Sequence, residues 1–230
     1  MHFFRVTLEL LEPVLVNRSV SFDGILAHMN YRRSGDAETA HLSLPLAGIG
    51  GIYQASELLF LGPAIPSEVQ YVVNPRWDRF ERGELADGHG KRIGKITARG
   101  ARKPTLDRYD AVSARRAFAL ARGDAGAVED LIGDLDAVGK KSRSRGFGRL
   151  KNIRIDLLDN APDTLGYTDY HGQPVRVVPV AIWTGLKLSS ENVSFGPARP
   201  RLPRWATDDE LCALPASHLI QPHEHHRVGL

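Results

Sequence analysis

The chain has 230 residues, of which 42% are hydrophobic and 25% are charged, values typical of a protein with a buried core. Its formal net charge is only +3, and its single cysteine, Cys212, excludes an intramolecular disulfide and a cysteine-ligated metal site. No stretch has the ~20 consecutive apolar residues of a membrane-spanning helix, and the N-terminus lacks a signal-peptide pattern. We therefore expect a cytoplasmic protein that contacts no membrane.

The first predicted strand covers Phe4 to Leu10, where apolar and polar residues alternate with a period of two. A second apolar run, Val14 to Val16, either extends this strand or bends away from it. Asp23 is then the predicted N-cap of a short helix. The apolar face of that helix is formed by Ile25, Leu26 and Met29.

The segment from Leu44 to Leu61 is apolar and interrupted by glycines, which predicts a strand, a turn, and a second strand or short helix. Alternation from Glu68 to Asn74 predicts another strand. Residues 76–104 are polar and contain few apolar side chains, so we interpret them as an inserted basic hairpin or loop. A further strand is predicted from Ala111 to Leu120.

The clearest predicted helix begins at Asp124, a favourable N-cap, and ends at Gly139, a favourable C-cap. Its apolar stripe comprises Val128, Leu131, Ile132, Leu135 and Val138. The charge then reverses, because residues 139–155 (GKKSRSRGFGRLKNIRI) contain seven Lys or Arg and no Asp or Glu. Alternation from Ile153 to Leu157 makes the end of this segment a predicted strand.

The order strand, helix, two or more strands, helix, strand predicts an α+β fold with a ferredoxin-like (RRM-like) βαββαβ core. We predict that this domain covers residues 1–160, with the inserted thumb at about 76–104. Residues 161–230 would form a C-terminal extension that packs on the core. This extension contains a strand-like run from Val175 to Trp183.

The basic segment has the chemistry of a nucleic-acid contact. Its cations can neutralise phosphates, its serines can donate hydrogen bonds, and its glycines let the backbone approach an anion. A base could stack on the Phe147 ring. The predicted RNA-binding residues of this loop are Lys140, Lys141, Ser142, Arg143, Ser144, Arg145, Gly146, Phe147, Gly148 and Arg149. The alternative is a solvated basic turn with Phe147 in the core.

The stretch from Gly139 to Leu150, between a helix and a strand, resembles the glycine-rich loop of the CRISPR RAMP superfamily. Within that superfamily the chain is most similar to the Cas-five-like subunit of type IV systems. Three further blocks resemble that subunit in the same order along the chain: residues 4–7 with 21–27, residues 44–47 with 53–56, and residues 199–200 with 203–205.

The resemblance implies a subunit that does not cut RNA, caps one end of a multisubunit ribonucleoprotein and holds the 5′ handle of the CRISPR RNA. Its partners would be backbone RAMP subunits and a large subunit, and contact with target DNA through the complex is left open. No cofactor or metal is implied. The thumb would fold over the RNA, and its predicted contact residues are Lys95, Arg99, Arg102 and Lys103.

Two other functions remain open at this point. His28 and Tyr31 lie on the first predicted helix, roughly where relatives that process CRISPR RNA carry a catalytic histidine. His28 could then be the base of a metal-independent endoribonuclease, with Lys140 or Lys141 stabilising the charged phosphate. The chain could also be a general single-stranded RNA-binding module. Residues 223–226 (HEHH) have metal-ligand side chains, but we predict no metal site in this tail.

Overall fold

The computed structural model describes residues 1–16, 19–73, 82, 105–140, 146–204, 207–215 and 219–220, which form a mixed α+β fold with mostly antiparallel sheets. The strands are β1 (His2–Leu10), β2 (Val14–Val16), β3 (Gly48–Ile49), β4 (Ile52–Tyr53), β5 (Leu59–Leu61), β6 (Ile65–Val73), β7 (Thr105–Ser113), β8 (Arg116–Gly123), β9 (Leu150–Leu157), β10 (Val178–Pro179), β11 (Ser194–Ala198), β12 (Glu210–Leu214) and β13 (Leu219–Ile220). The helices are α1 (Phe22–Ser34), α2 (Ala125–Ile132) and α3 (Val180–Gly185). In this described part of the chain, no helix is long and apolar enough to cross a bilayer.

The main sheet has five strands in the order β13-β5-β8-β1-β9. β1 pairs antiparallel with β8 on one side and with β9 on the other, and β8 pairs antiparallel with β5. β13 adds to the outer edge of β5 in parallel. The chain passes from β1 to β5 by way of α1, and from β8 to β9 by way of α2. Each of these helices therefore links two strands that are separated by a third.

One face of the main sheet packs against both helices. Phe4, Val6 and Leu8 alternate inward from β1 and are at most 1% exposed, as their period of two predicts. They share one apolar cluster with residues from β8, α1 and α2, among them Ala117, Ala119, Leu26, Met29, Val128 and Leu131. This cluster is the main core, and it confirms the predicted apolar faces of the first strand and of both helices.

The second face of the main sheet is covered over only part of its area. Phe118 and Leu120 of β8 and Leu59 and Leu61 of β5 form a cluster with Leu165 and Val175. Phe3, Leu158, Ala161 and Tyr170 pack at the margin of this cluster. Residues from the C-terminal part of the chain thus pack on this face over β5, the adjoining part of β8 and the beginning of β1.

A buried ion pair joins α1 to the C-terminal part of the chain. Arg176 is 1% exposed, and its Nη2 donates to Oδ2 of Asp23 at 3.0 Å. The same guanidinium also donates to the backbone carbonyl oxygens of Tyr53, Ala55 and Pro200. Three separate segments of the chain are therefore tied to one side chain.

The predicted N-cap role of Asp23 is wrong. The helix begins at Phe22 with Ser21 in the N-cap position, and Asp23 is 1% exposed in its first turn. The carboxylate is buried because it neutralises Arg176, which comes from a distant part of the sequence.

The second helix begins as predicted but ends earlier. Asp124 caps it, because its Oδ1 accepts a hydrogen bond from Ala127 N at 3.1 Å. The helix ends at Ile132, with Gly133 rather than Gly139 in the C-cap position. Leu135 and Val138 remain buried, although they belong to the connection that follows. Because these two residues continue the apolar spacing of a helix, the sequence predicted a helix that runs past its true end at Ile132.

Two further strand predictions need correction. The predicted strand from Ala111 to Leu120 is two strands, because β7 and β8 separate between residues 113 and 116 and enter different sheets. β7 pairs with β2 and β6, whereas β8 belongs to the main sheet. The run from Val175 to Trp183 contains only the short β10, because Pro179 cannot continue the ladder and α3 begins at the next residue.

We expect Asp23→Asn to lower the free energy of unfolding by about 3–5 kcal/mol, because it leaves the Arg176 charge buried without its counter-ion. The matched control is Asp209→Asn, which breaks an exposed pair with Arg199 at the same 3.0 Å separation. Exposed pairs contribute about 0.2–1 kcal/mol. Urea denaturation measures the loss in the free energy of unfolding for both variants. Equal losses would show that the buried pair stabilises the protein no more than the exposed pair does.

Candidate nucleic-acid interface

The two ends of the glycine-rich loop are held side by side by backbone hydrogen bonds. Val138 N donates to Gly148 O, and Leu150 N donates to Asp136 O, each at 2.9 Å. An antiparallel bridge between Ala137 and Arg149 lies between them. The residues that follow α2 and those that precede β9 therefore form a closed base for the loop.

This base is also fixed to the turn that joins β1 to β2. Gly148 N donates to Pro13 O at 2.8 Å, and Lys140 N donates to Leu15 O at 2.9 Å. Leu11 N donates to Arg149 O at 2.8 Å on the same side. The base of the loop is thus anchored by backbone hydrogen bonds at both ends.

Gly148 is required by packing at this base. Its φ of +63° lies in the left-handed region, and a Cβ there would stand 1.9 Å from Val138 O. Its N–H is used within the protein, since it donates to Pro13 O. The expectation that both loop glycines expose their amides to an anion therefore does not hold for Gly148.

Gly146 has a different environment. It is exposed, its φ is +77°, and a Cβ at this position would meet nothing within 4 Å. The left-handed turn is its only constraint. Of these two glycines, Gly146 is the one that leaves open space for a ligand beside its backbone.

Two of the predicted cations flank the loop at its base. Lys140 and Arg149 are both exposed. The Lys140 ammonium lies 5.9 Å from the centroid of the Tyr109 ring, within the range of a cation–π contact. Phe147 is half-buried, between the fully packed and the fully exposed positions that the sequence left open. Part of its surface thus faces solvent beside two cations.

The remaining predicted contact residues lie outside the described residues. In the loop these are Lys141, Ser142, Arg143, Ser144 and Arg145, and in the thumb they are Lys95, Arg99, Arg102 and Lys103. Residues 223–226, for which no metal site is predicted, also lie outside the described part. Their assignment therefore still rests on the sequence.

His28 lies in a cleft beside α1. The cleft has a volume of about 290 Å³ and is lined by His28, Tyr31, His41, Leu202 and Pro203 together with small apolar residues. His28 and Tyr31 therefore share one site, as their spacing on a helix suggests. Its described lining includes no Lys or Arg, whereas the endoribonuclease hypothesis requires a cation beside the phosphate.

Strand pairing brings together cations that the sequence analysis did not combine. Arg115 and Arg116 at the beginning of β8 lie beside the end of β1, and Lys151 and Arg154 of β9 lie on its other side. All four are exposed. The sequence gives no direct signal for this group, because residues 115–116 and 151–154 become neighbours only through the register of β1.

The described residues offer no candidate site for metal binding or thiol chemistry. No group of three or more His, Cys, Asp or Glu side chains there is arranged to hold a metal ion. Cys212 is 0% exposed, and burial raises the pKa of its thiol to about 11. At neutral pH this thiol is protonated, which is the unreactive form.

No family model and no curated protein matches this chain.

Replacing the two loop glycines should separate packing from backbone conformation. We expect Gly148→Ala to lower the free energy of unfolding by about 3–5 kcal/mol, because a left-handed residue and a backbone clash are combined there. Gly146→Ala should cost only about 1 kcal/mol, since only the left-handed conformation is penalised. Thermal or urea unfolding measures both. Similar losses at the two positions would contradict the close approach of Gly148 to Val138.

Proposed function

We propose that this chain is a non-catalytic RNA-binding subunit of a type IV CRISPR effector complex. In this proposal it has a ferredoxin-like core, holds the 5′ handle of the guide RNA and caps one end of the complex. Backbone RAMP subunits and a large subunit would be its protein partners. The proposal rests on the resemblance of the glycine-rich loop and on the geometry of that loop's base.

The arrangement of the main sheet supports a ferredoxin-like core. Four of its strands follow the order β5-β8-β1-β9, and all their pairings are antiparallel. Residues of α1 and α2 pack in one apolar cluster with the same face of this sheet. In chain order these elements read strand, helix, strand, strand, helix, strand, which is the order of a βαββαβ unit.

The observation that carries the functional proposal is the closed base of the loop. Lys140 and Arg149 stand at its two ends, and the sequence between them contains Lys141, Arg143 and Arg145. A hydrogen-bonded base keeps these cations within one short segment of chain. Concentrated positive charge beside a partly accessible aromatic ring suits single-stranded RNA, whose phosphates pair with cations and whose bases stack.

A metal-independent endoribonuclease is the second candidate, and the shared cleft of His28, Tyr31 and His41 favours it. An imidazole there could accept the proton of a ribose 2′-hydroxyl. The described lining supplies no cation for the charge that develops on the phosphate. We therefore rank this activity below simple RNA retention.

RNA binding is tested by the salt dependence of affinity for single-stranded RNA that carries the repeat-derived handle. Arg143→Gln and Arg145→Gln should each flatten the slope of log affinity against log salt by about 0.7, the value for one phosphate contact. The control is Lys187→Gln, which removes an exposed positive charge from the C-terminal part. If the loop variants behave like this control, the loop is not the RNA site.

Base stacking is tested at Phe147 with a substitution that preserves apolar volume. Phe147→Leu should weaken binding by about 1–3 kcal/mol and leave the salt slope unchanged, because stacking releases few counterions. The loss should be larger for the handle than for a scrambled RNA of the same length. An equal loss on both would instead favour a general single-stranded RNA-binding module.

Catalysis is tested by incubating the chain with repeat RNA in the presence of a metal chelator. The RNA should remain intact over hours. Cleavage that yields a 2′,3′-cyclic phosphate and disappears in both His28→Ala and His41→Ala would replace the non-catalytic proposal with the endoribonuclease.

A further inference from the structure

Exposed cations lie where β8, β1 and β9 approach the base of the glycine-rich loop, beside the covered part of the second sheet face. β8 places Arg116 opposite Glu9, and β9 places Asn152 opposite Glu9 from the other side. Arg154 pairs with Thr7, one step further along β1. Arg116 points to the same face as Phe118, because side chains two residues apart on a strand share a face.

Five cations from this end of the sheet are exposed: Arg115, Arg116, Arg149, Lys151 and Arg154, here named the sheet-end patch. They come from β8, from β9 and from the residues that directly precede each strand. Two of them are already paired at the surface, Lys151 with Glu9 at 3.5 Å and Arg154 with Asp156 at 3.1 Å. The Lys151–Glu9 pair is exposed, so it can be exchanged for a phosphate contact at little cost. Arg154 is also exposed, whereas Asp156 is half-buried and keeps a second partner in Arg5.

The other three cations, Arg115, Arg116 and Arg149, have no ion-pair partner within the part of the chain that is described. The carboxylates nearest to the patch by position are Glu9 in β1, Glu12 in the turn after it and Asp156 in β9. Cations therefore outnumber acids here, although the whole chain has a formal charge of only +3. This local excess is an electrostatic feature that the overall composition conceals.

The extent of the patch indicates a chain of phosphates rather than a single anion. Arg149 and Arg154 are separated by five strand steps, about 17 Å at about 3.3 Å per residue. Arg116 and Asn152 flank β1 and lie about 10 Å apart, since neighbouring strands are about 4.8 Å apart. Five cations over such a distance exceed what one phosphate group can contact.

We propose that the sheet-end patch is a second RNA-binding site, which takes the phosphodiester backbone of single-stranded RNA as it leaves the glycine-rich loop. This inference rests on the proposed RNA-binding function and extends it to residues outside the loop. Arg149 belongs to both sites and makes them continuous. The apolar cluster around Phe118 and Leu120 occupies the middle of the same face, so the RNA would pass along the end of the sheet.

The patch contacts phosphates and reads no base, so its effect should be independent of sequence. Glu9 lies between Arg116 and Asn152 and opposes an incoming phosphate. Its removal should therefore strengthen binding, which is the opposite of the effect expected at the arginines. A sheet face used for base stacking would not respond in this way.

The experiment measures the affinity of the full chain for labelled oligouridylate of about 20 nucleotides, a length above the site sizes of typical single-strand binding folds. Arg116→Gln and Arg154→Gln should each flatten the salt slope by about 0.7, and the double variant by about 1.4. Glu9→Gln should bind more tightly than the parent chain. Lys187→Gln is the control for a lost charge elsewhere, and unfolding midpoints verify that every variant is folded.

Arg143→Gln/Arg145→Gln, measured in parallel, separates this inference from the proposed function. If this loop variant loses affinity while the Arg116→Gln/Arg154→Gln variant matches the Lys187 control, the second site is wrong and the loop proposal stands. If only the sheet-end variant loses affinity, the second site stands and the loop assignment is wrong. A parent chain that binds no RNA at low salt overturns both.

Discussion

The fold depends on the buried contact between Arg176 and Asp23. One guanidinium, 1% exposed, reaches a carboxylate in α1 and backbone carbonyls in two other segments. Moving a charge of this kind out of water is expensive, and the cost is offset only when its donors are satisfied. This contact fixes the position of residue 176. Residues 158–175, which connect β9 to it, pack across part of the second sheet face.

That covering determines where a ligand can bind. Leu165 and Val175 pack on Phe118 and Leu120, so aromatic side chains in the middle of this face cannot stack bases in the manner of an open RNA-binding sheet. The part that remains exposed lies at the opposite end of β1, beside the base of the glycine-rich loop. Because Arg116 of β8 and Arg154 of β9 flank β1 there, the available surface is electrostatic rather than aromatic in character.

Local patterns predicted the elements that are determined locally. The alternation of β1 and the cap at Asp124 depend on neighbouring residues, and both were found where expected.

Predictions failed where distant contacts decide the outcome. Asp23 was assigned as a cap because its partner, 153 positions away, carries no signal in the sequence near it. The end of α2 was missed because Leu135 and Val138 are buried in a connection that keeps the helical spacing. The cations of the candidate loop were visible as a run of residues, whereas Arg115 and Arg116 required the strand register.

A glycine-rich basic segment combines two requirements that the sequence alone cannot separate. Gly148 is needed because the chain passes too close to Val138 for any side chain, and its amide is used internally. Gly146 faces open space and has only a conformational constraint. The motif therefore serves packing at Gly148 and leaves room for a ligand at Gly146.

A protein could keep such a loop only to anchor β9 to the β1–β2 turn, with no ligand. What distinguishes a binding loop is the charge around it, since cations contribute nothing to a backbone anchor and repel one another unless a polyanion is present. The concentration of exposed Lys and Arg at the loop base and along the adjoining strand ends is thus the feature that packing leaves unexplained and that the proposed RNA binding would account for.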